Sequence, residues 1–173
     1  MISLLPSFYD HKAEMIMDSK ALFEEAKKLE NAGKLLEANK IYVQLYEDDP
    51  KKNAFLVMIA LNYIQKGHNK EFIKYASKYL EEIPEKDRMM KKSDTIWTLY
   101  HHLGIAYGRQ ENHEKALENF REAIAVKSDP KSIRYAGQAC MDLGHKEEAI
   151  SFWKTAAKMG DGKAILALNT RGI

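Results

Sequence analysis

The sequence predicts an all-α chain built from antiparallel helix pairs that repeat along its length, and three observations carry that prediction. Between Ile96 and Ala123, the large residues Tyr100, Leu103, Tyr107 and Phe120 fall at helical spacing, with Gly104, Ala116 and Ala123 set among them. The large side chains would line one face of each helix, while the small ones let a neighbouring helix come close. The second observation is an internal period: Pro50 and Pro84 are 34 apart, Gly33 and Gly67 are 34 apart, and Ala116 and Ala149 are 33 apart. That is the stride of a two-helix unit. The third is composition, since 45% hydrophobic and 30% charged residues in a chain of 173 suit a folded, water-exposed protein.

Taken in order, Phe8 to Leu29 carry an apolar stripe of Phe8, Ala13, Ile16, Met17, Leu22, Ala26 and Leu29. It reads as an added N-terminal helical segment running into the first repeat helix, with Asp18 as either a break and new N-cap or an exposed residue on a continuous helix. Gly33 ends that helix; Ala38, Tyr42 and Leu45 form the face of its partner, and Pro50 stops it. The second copy has Leu56, Ile59, Ala60 and Tyr63, then Gly67, and closes at Pro84. Its second helix places Phe72 where copy three has Ala116, and Ala76 where copy three has Phe120. The exchange keeps the summed volume at that contact, which a close-packed core tolerates.

An insertion then breaks the period, because Pro84 to Tyr100 spans 16 residues where Pro50 to Leu56 spans 6. Met89, Ser93, Ile96 or Trp97, Tyr100, Leu103 and Tyr107 recur at three or four, which predicts a first helix of copy three starting several turns early. The rival is a loop ending at an N-cap Ser93. Copy four has Ile133, Ala136, Gly137 and Cys140, a stop at Gly144, then Ala149, Phe152, Trp153 and Ala156. Cys140, the single cysteine, sits on an apolar face and reads as a small core residue. The copies fall at about 19–52, 53–86, 97–129 and 130–162, with the insertion near 87–96 and a capping helix at 163–173, all in one domain.

The run Tyr100, Leu103-Gly104, Tyr107, Ala116, Phe120, Ala123 resembles the tetratricopeptide repeat, whose signature is an aromatic, Leu-Gly and Tyr on a first helix, then Ala and an aromatic on a second. Tyr100 stands where that signature opens with Trp. Phe152-Trp153-Lys154-Thr155-Ala156-Ala157-Lys158-Met159-Gly160-Asp161, with Ala164 and Leu168, is similar over about 20 residues to the related Sel-like repeat. The resemblance implies a right-handed α-α superhelix of about four helix-turn-helix repeats, with an N-terminal helical extension and a C-terminal capping helix. Its concave wall would be made by the first helix of each repeat.

Little in the sequence suggests chemistry. His68, His113 and His145 fall in the turns between paired helices, where a polar residue beside the helix stop is expected, and His101 and His102 point about 100° apart on one helix. No Walker-type loop, nucleophile elbow, His-Glu-x-x-His or cysteine pair is present, so neither catalysis, a metal nor a cofactor is expected. The 27 basic against 25 acidic residues, a net charge of +2, argue against nucleic acid or an anionic membrane as partner. Met1 to Pro6 offer too short an apolar run for a secretory signal, and no uncharged run approaches the roughly 18 residues of a membrane span. A cytoplasmic address is the resulting expectation.

Function is therefore expected on the concave wall. Counting one turn from the packing residues places Phe23 and Lys27 of copy one, and Val57, Leu61 and Ile64 of copy two, on that wall. His101, Ile105 and Arg109 of copy three, and Arg134, Gln138 and Met141 of copy four, complete it. The wall is apolar in the middle and basic toward its ends, which suits a short peptide or helix of a partner protein bound at micromolar strength, about 8 kcal/mol. The Lys and Asn clamp that cochaperones of this family use for a terminal carboxylate is absent, because copy two offers only Val57, Met58 and Leu61 there. The expected role is a scaffold or adaptor. The alternative is a regulatory or peptide-sensing subunit whose groove holds a small peptide or a second copy of the chain.

Overall fold

A computed structural model describes residues 8–84 and 93–172, and among these every regular element is a helix. The chain divides into two compact units, Met1–Tyr79 and Leu80–Ile173.

The first unit opens with α1, Phe8–Asn31, a single helix of 24 residues. The N-terminal extension and the first repeat helix are thus continuous, and Asp18 is an exposed residue within the helix. Then come α2, Leu35–Asp48, and α3, Ala54–Gln65, with α1 packed on α2 and α2 on α3. The core between them holds Ala26, Ala38, Tyr42, Leu45 and Ile59, all at most 3% exposed. Small residues on one helix let Tyr42 lie flat between the others, where it stacks on Phe55 at 5.9 Å and meets Phe23 at 6.2 Å. Burying one such large side chain contributes about 1.5–3 kcal/mol. On α4, Asn69–Glu82, Phe72 and Ala76 are both fully buried.

The second unit contains α5, Asp94–Gly108, α6, His113–Val126, α7, Pro130–Asp142, α8, Lys146–Lys158, and α9, Gly162–Asn169. Each packs on the next, and the first helices α5 and α7 also touch. The expectation that copy three's first helix starts several turns early is corrected here. Ser93 has extended dihedrals and its side chain accepts the Ile96 amide at 3.3 Å, so the helix begins at Asp94. A β-region hydroxyl residue that satisfies a first-turn amide is a preferred N-cap; most of the insertion lies outside the described residues. Asp129 and Asp161 cap α7 and α9 in the same way, with Pro130 opening α7.

The core of this unit joins Ala116, Phe120, Ile133, Ala136, Cys140, Ala149, Trp153, Ala156, Ala164 and Leu168. Cys140 is wholly buried, and burial, followed by the nearby Glu148 carboxylate, pushes its thiol up to about 11. Trp153, 1% exposed, donates its indole N–H to the Arg134 carbonyl at 3.2 Å. A Cβ on Gly137 would lie 2.7 Å from the Trp153 ring, so the glycine is what admits the indole.

The turn inside each helix pair repeats one hydrogen-bond pattern. After α1, Gly33 has φ +75°, the Lys34 amide reaches back to the Leu29 carbonyl at 2.9 Å, and the Gly33 amide reaches Glu30 at 2.8 Å. This pair of bonds satisfies the last carbonyls of a helix and needs a left-handed residue, usually glycine. Gly67 and Gly144 do the same, whereas in the turn after α5 the left-handed residue is Glu111, φ +60°.

Candidate functional site

The two successive first helices of the second unit, α5 and α7, leave a cavity of about 310 Å³ between them, closed behind by α6. Its floor exists because Gly104 and Ala116 carry too little side chain to fill it, and the Phe120 ring lies across the gap. Phe120 stacks on Tyr135 at 5.5 Å with the planes 10° apart, which makes a flat aromatic surface at the base. From α5, Ile105 adds an aliphatic wall and Arg109 an exposed cation; from α7, Gln138 adds an exposed amide. The rim toward α6 is polar: Gln138 Nε2 donates to Asp142 Oδ1 at 2.8 Å, and His113 Nδ1 lies 3.6 Å from the other Asp142 oxygen.

Ile105, Arg109 and Gln138 are thus brought together, but the other residues expected on the wall are placed differently. His101 was expected to be exposed and is 7% exposed. Its ring stacks on Trp97 at 5.2 Å, meets Phe120 and Tyr135 edge-on, and its Nδ1 lies 2.9 Å from Ser132 Oγ. Burial, reinforced by neighbouring His102, lowers its pKa to about 4, so the imidazole is neutral at pH 7. Arg134 turns away from the cavity: its guanidinium lies over the Tyr135 ring at 4.2 Å and its Nε is 3.2 Å from the Asp161 carboxylate. Met141 is half-buried against the core. The face of α7 that lines the cavity is Tyr135, Gln138 and Asp142, rotated by about one residue from the face expected.

In the first unit, Phe23 is half-buried and packs on Tyr42 and Phe55. Lys27 pairs with Glu30 at 2.7 Å. Leu61, 37% exposed, and the half-buried Val57 and Ile64 share one side of α3. Behind them lies a buried polar ladder that sequence reasoning missed. Asn62 Nδ2 donates to Asn39 Oδ1 at 2.9 Å and to Glu30 Oε1 at 3.1 Å, and Asn39 donates to the Ile59 carbonyl at 3.2 Å. Burial acts to raise the Glu30 pKa, but hydrogen bonds from Lys27 and Asn62 outweigh it and hold the carboxyl below its ordinary value. The Tyr42 hydroxyl is buried beside Glu30 without a hydrogen bond of normal geometry, and burial together with that carboxylate raises its pKa.

Residues 98–130, which span α5 and α6, match the family described as Tetratricopeptide repeat. That stretch is a tetratricopeptide repeat. Solved structures agree over most of the chain's length at low identity, and so speak to the fold alone. MamA matches with a TM-score of 0.70 at 18% identity, covering 85% of this chain and 84% of that one. YrrB, whose structure is described as a TPR protein with an unusual peptide-binding site, matches with a TM-score of 0.69 at 19% identity, covering 90% of this chain and 76% of that one. In sequence, the human protein O-mannosyl-transferase TMTC1 is 25% identical over 168 residues, 94% of this chain but 17% of that protein. The chain therefore spans about a sixth of that relative's length. Among the described residues, no helix is long and apolar enough to cross a membrane.

Proposed function

We propose that this tetratricopeptide-repeat chain is a non-catalytic scaffold that receives a peptide or helix of a partner protein along the first helices of its repeats. The observation that carries this reading is the cavity between α5 and α7. It has an aromatic and aliphatic base and, at its edges, the Arg109 guanidinium, the Gln138 amide, the Asp142 carboxylate and the His113 imidazole. An apolar hollow of this size with a few convergent polar groups is the usual form of a site that fixes a side chain and orients the backbone beside it. Repeat arrays of this kind use such walls for binding. On α3, Val57, Leu61 and Ile64 offer a second apolar strip for the same mode of binding, with Phe23 and Lys27 on α1. The near balance of 27 basic and 25 acidic residues favours a protein partner over nucleic acid.

The test is retention of a partner from native lysate on the immobilised chain, followed by mapping on arrays of that partner's peptides. Wild type should hold a defined peptide, and Ile105→Asp combined with Arg109→Glu should weaken it at least tenfold without changing the helical circular dichroism. Equal retention by the double variant would refute the reading. Light scattering of the chain alone distinguishes a partner-filled groove from one filled by a second copy.

A further inference from the structure

The first unit carries a pocket that is separate from the cavity between α5 and α7. It has a volume of about 530 Å³ and sits where α1, the end of α2 and the start of α3 meet. Its base is formed by Phe23, Leu45, Phe55 and Met58, and Phe23 lies against Phe55 at 6.0 Å. Tyr42, fully buried, backs these rings. The base is therefore rigid, since its aromatics are held in place by one another.

The rim has the opposite character. Lys20 from α1 and Lys51 and Lys52 from the α2–α3 connection are all exposed at its edge. The acidic residue paired with this group is Asp49, whose carboxylate is 3.4 Å from Lys52 Nζ. Three ammonium groups against one carboxylate leave the mouth positive. The N-terminus of α3 adds to that field, because its N-cap Asn53 makes no side-chain hydrogen bond to the first turn. The chain as a whole is close to neutral at +2, so this is a local concentration of charge and not the general tone of the surface.

From the apolar base and the cationic mouth together, we infer that this pocket docks an acidic peptide segment that inserts one bulky apolar side chain. The anchor residue fills the hollow between Phe23, Phe55 and Met58. Asp or Glu residues on either side of it meet Lys20 and Lys51. A basic or neutral segment would place nothing opposite the lysines, and an acidic segment without an anchor would leave the hollow wet.

The experiment is selection of a random 12-residue phage-displayed peptide library on the full chain, with the K20E/K51E double variant as the counter-target. Both lysines are exposed, so the variant should keep the wild-type circular dichroism spectrum and unfolding midpoint. The inference expects enriched peptides with at least two Asp or Glu around a Trp, Phe, Leu or Met, and at least tenfold lower enrichment on K20E/K51E. Amide chemical-shift changes from a selected peptide should fall on Lys51 to Met58. Enrichment of neutral or basic peptides, equal enrichment on both targets, or no enrichment would overturn it. Saturable binding of laurate with no acidic peptide enriched would assign the pocket to a lipid, and overturn it equally. Peptides that lose binding on Ile105→Asp but not on K20E/K51E would overturn this inference while leaving the α5–α7 groove standing.

Discussion

A Cβ built on Gly104 would lie 2.6 Å from Cε1 of Phe120, closer than a real Cβ comes to a neighbouring carbon. The Phe120 ring is 3% exposed and held by Tyr135 and His101, so it cannot swing aside cheaply. Gly104→Ala should therefore destabilise the chain by about 1–3 kcal/mol, even though alanine is the better helix former by roughly 1 kcal/mol. Urea unfolding checks this, and Phe120→Leu in the same chain should recover part of the loss.

Glu111 occupies the left-handed position that glycine holds in the turns at Gly33, Gly67 and Gly144. A side chain there costs about 1–2 kcal/mol of backbone strain, offset in part by the greater freedom glycine has when unfolded. Glu111→Gly should raise stability by about 0.5–1 kcal/mol, read as a higher thermal midpoint with helix content unchanged.

Asn62 is 6% exposed and serves both Asn39 and Glu30 across three helices. Replacing it with Leu removes one donor group and leaves the buried Asn39 oxygen and one oxygen of the part-buried Glu30 carboxylate short of a partner. The expected cost is about 1–3 kcal/mol by denaturant unfolding, against a few tenths for exposed Asn169→Leu.

His101 has its pKa lowered to about 4 from an ordinary value near 6.5, first by burial and then by neighbouring His102. A base whose folded pKa is depressed is protonated more readily in the unfolded chain, so unfolding takes up a proton between those values. The stability is complete above about pH 6.5 and falls as pH drops toward 4. Between pH 7 and pH 4.5 wild type should lose about 2 kcal/mol more than His101→Gln, measured by urea unfolding at both pH values.

The fold was legible because its determinants are local and repeated. The glycines Gly33, Gly67 and Gly144 that end three of the first helices, the small-against-large pair of Gly104 and Phe120, and the exchanged Phe72 and Ala76 can each be read from spacing alone. The start of α5 was not, because the period of three and four continues through Ser93 and only its extended backbone shows that it is a cap. The wall was half legible. Ile105, Arg109 and Gln138 converge, but His101 stacks on Trp97 and is drawn inward by Ser132, a polar partner 31 positions away that no helical period reveals. Tyr135 and Asp142 could have been found from Gln138, since positions three and four apart share a face. The Asn39–Asn62 ladder had no such signal, as an asparagine within an apolar run looks the same whether paired or exposed.

The most direct test of the proposed scaffold role is an amide chemical-shift map of the chain titrated with the peptide its partner supplies. The account predicts that the largest changes fall on Ile105, Arg109, Tyr135 and Gln138, along the facing sides of α5 and α7. Changes confined to the second helices, around Glu118, Arg121 and Lys154, with α5 and α7 silent, would contradict it.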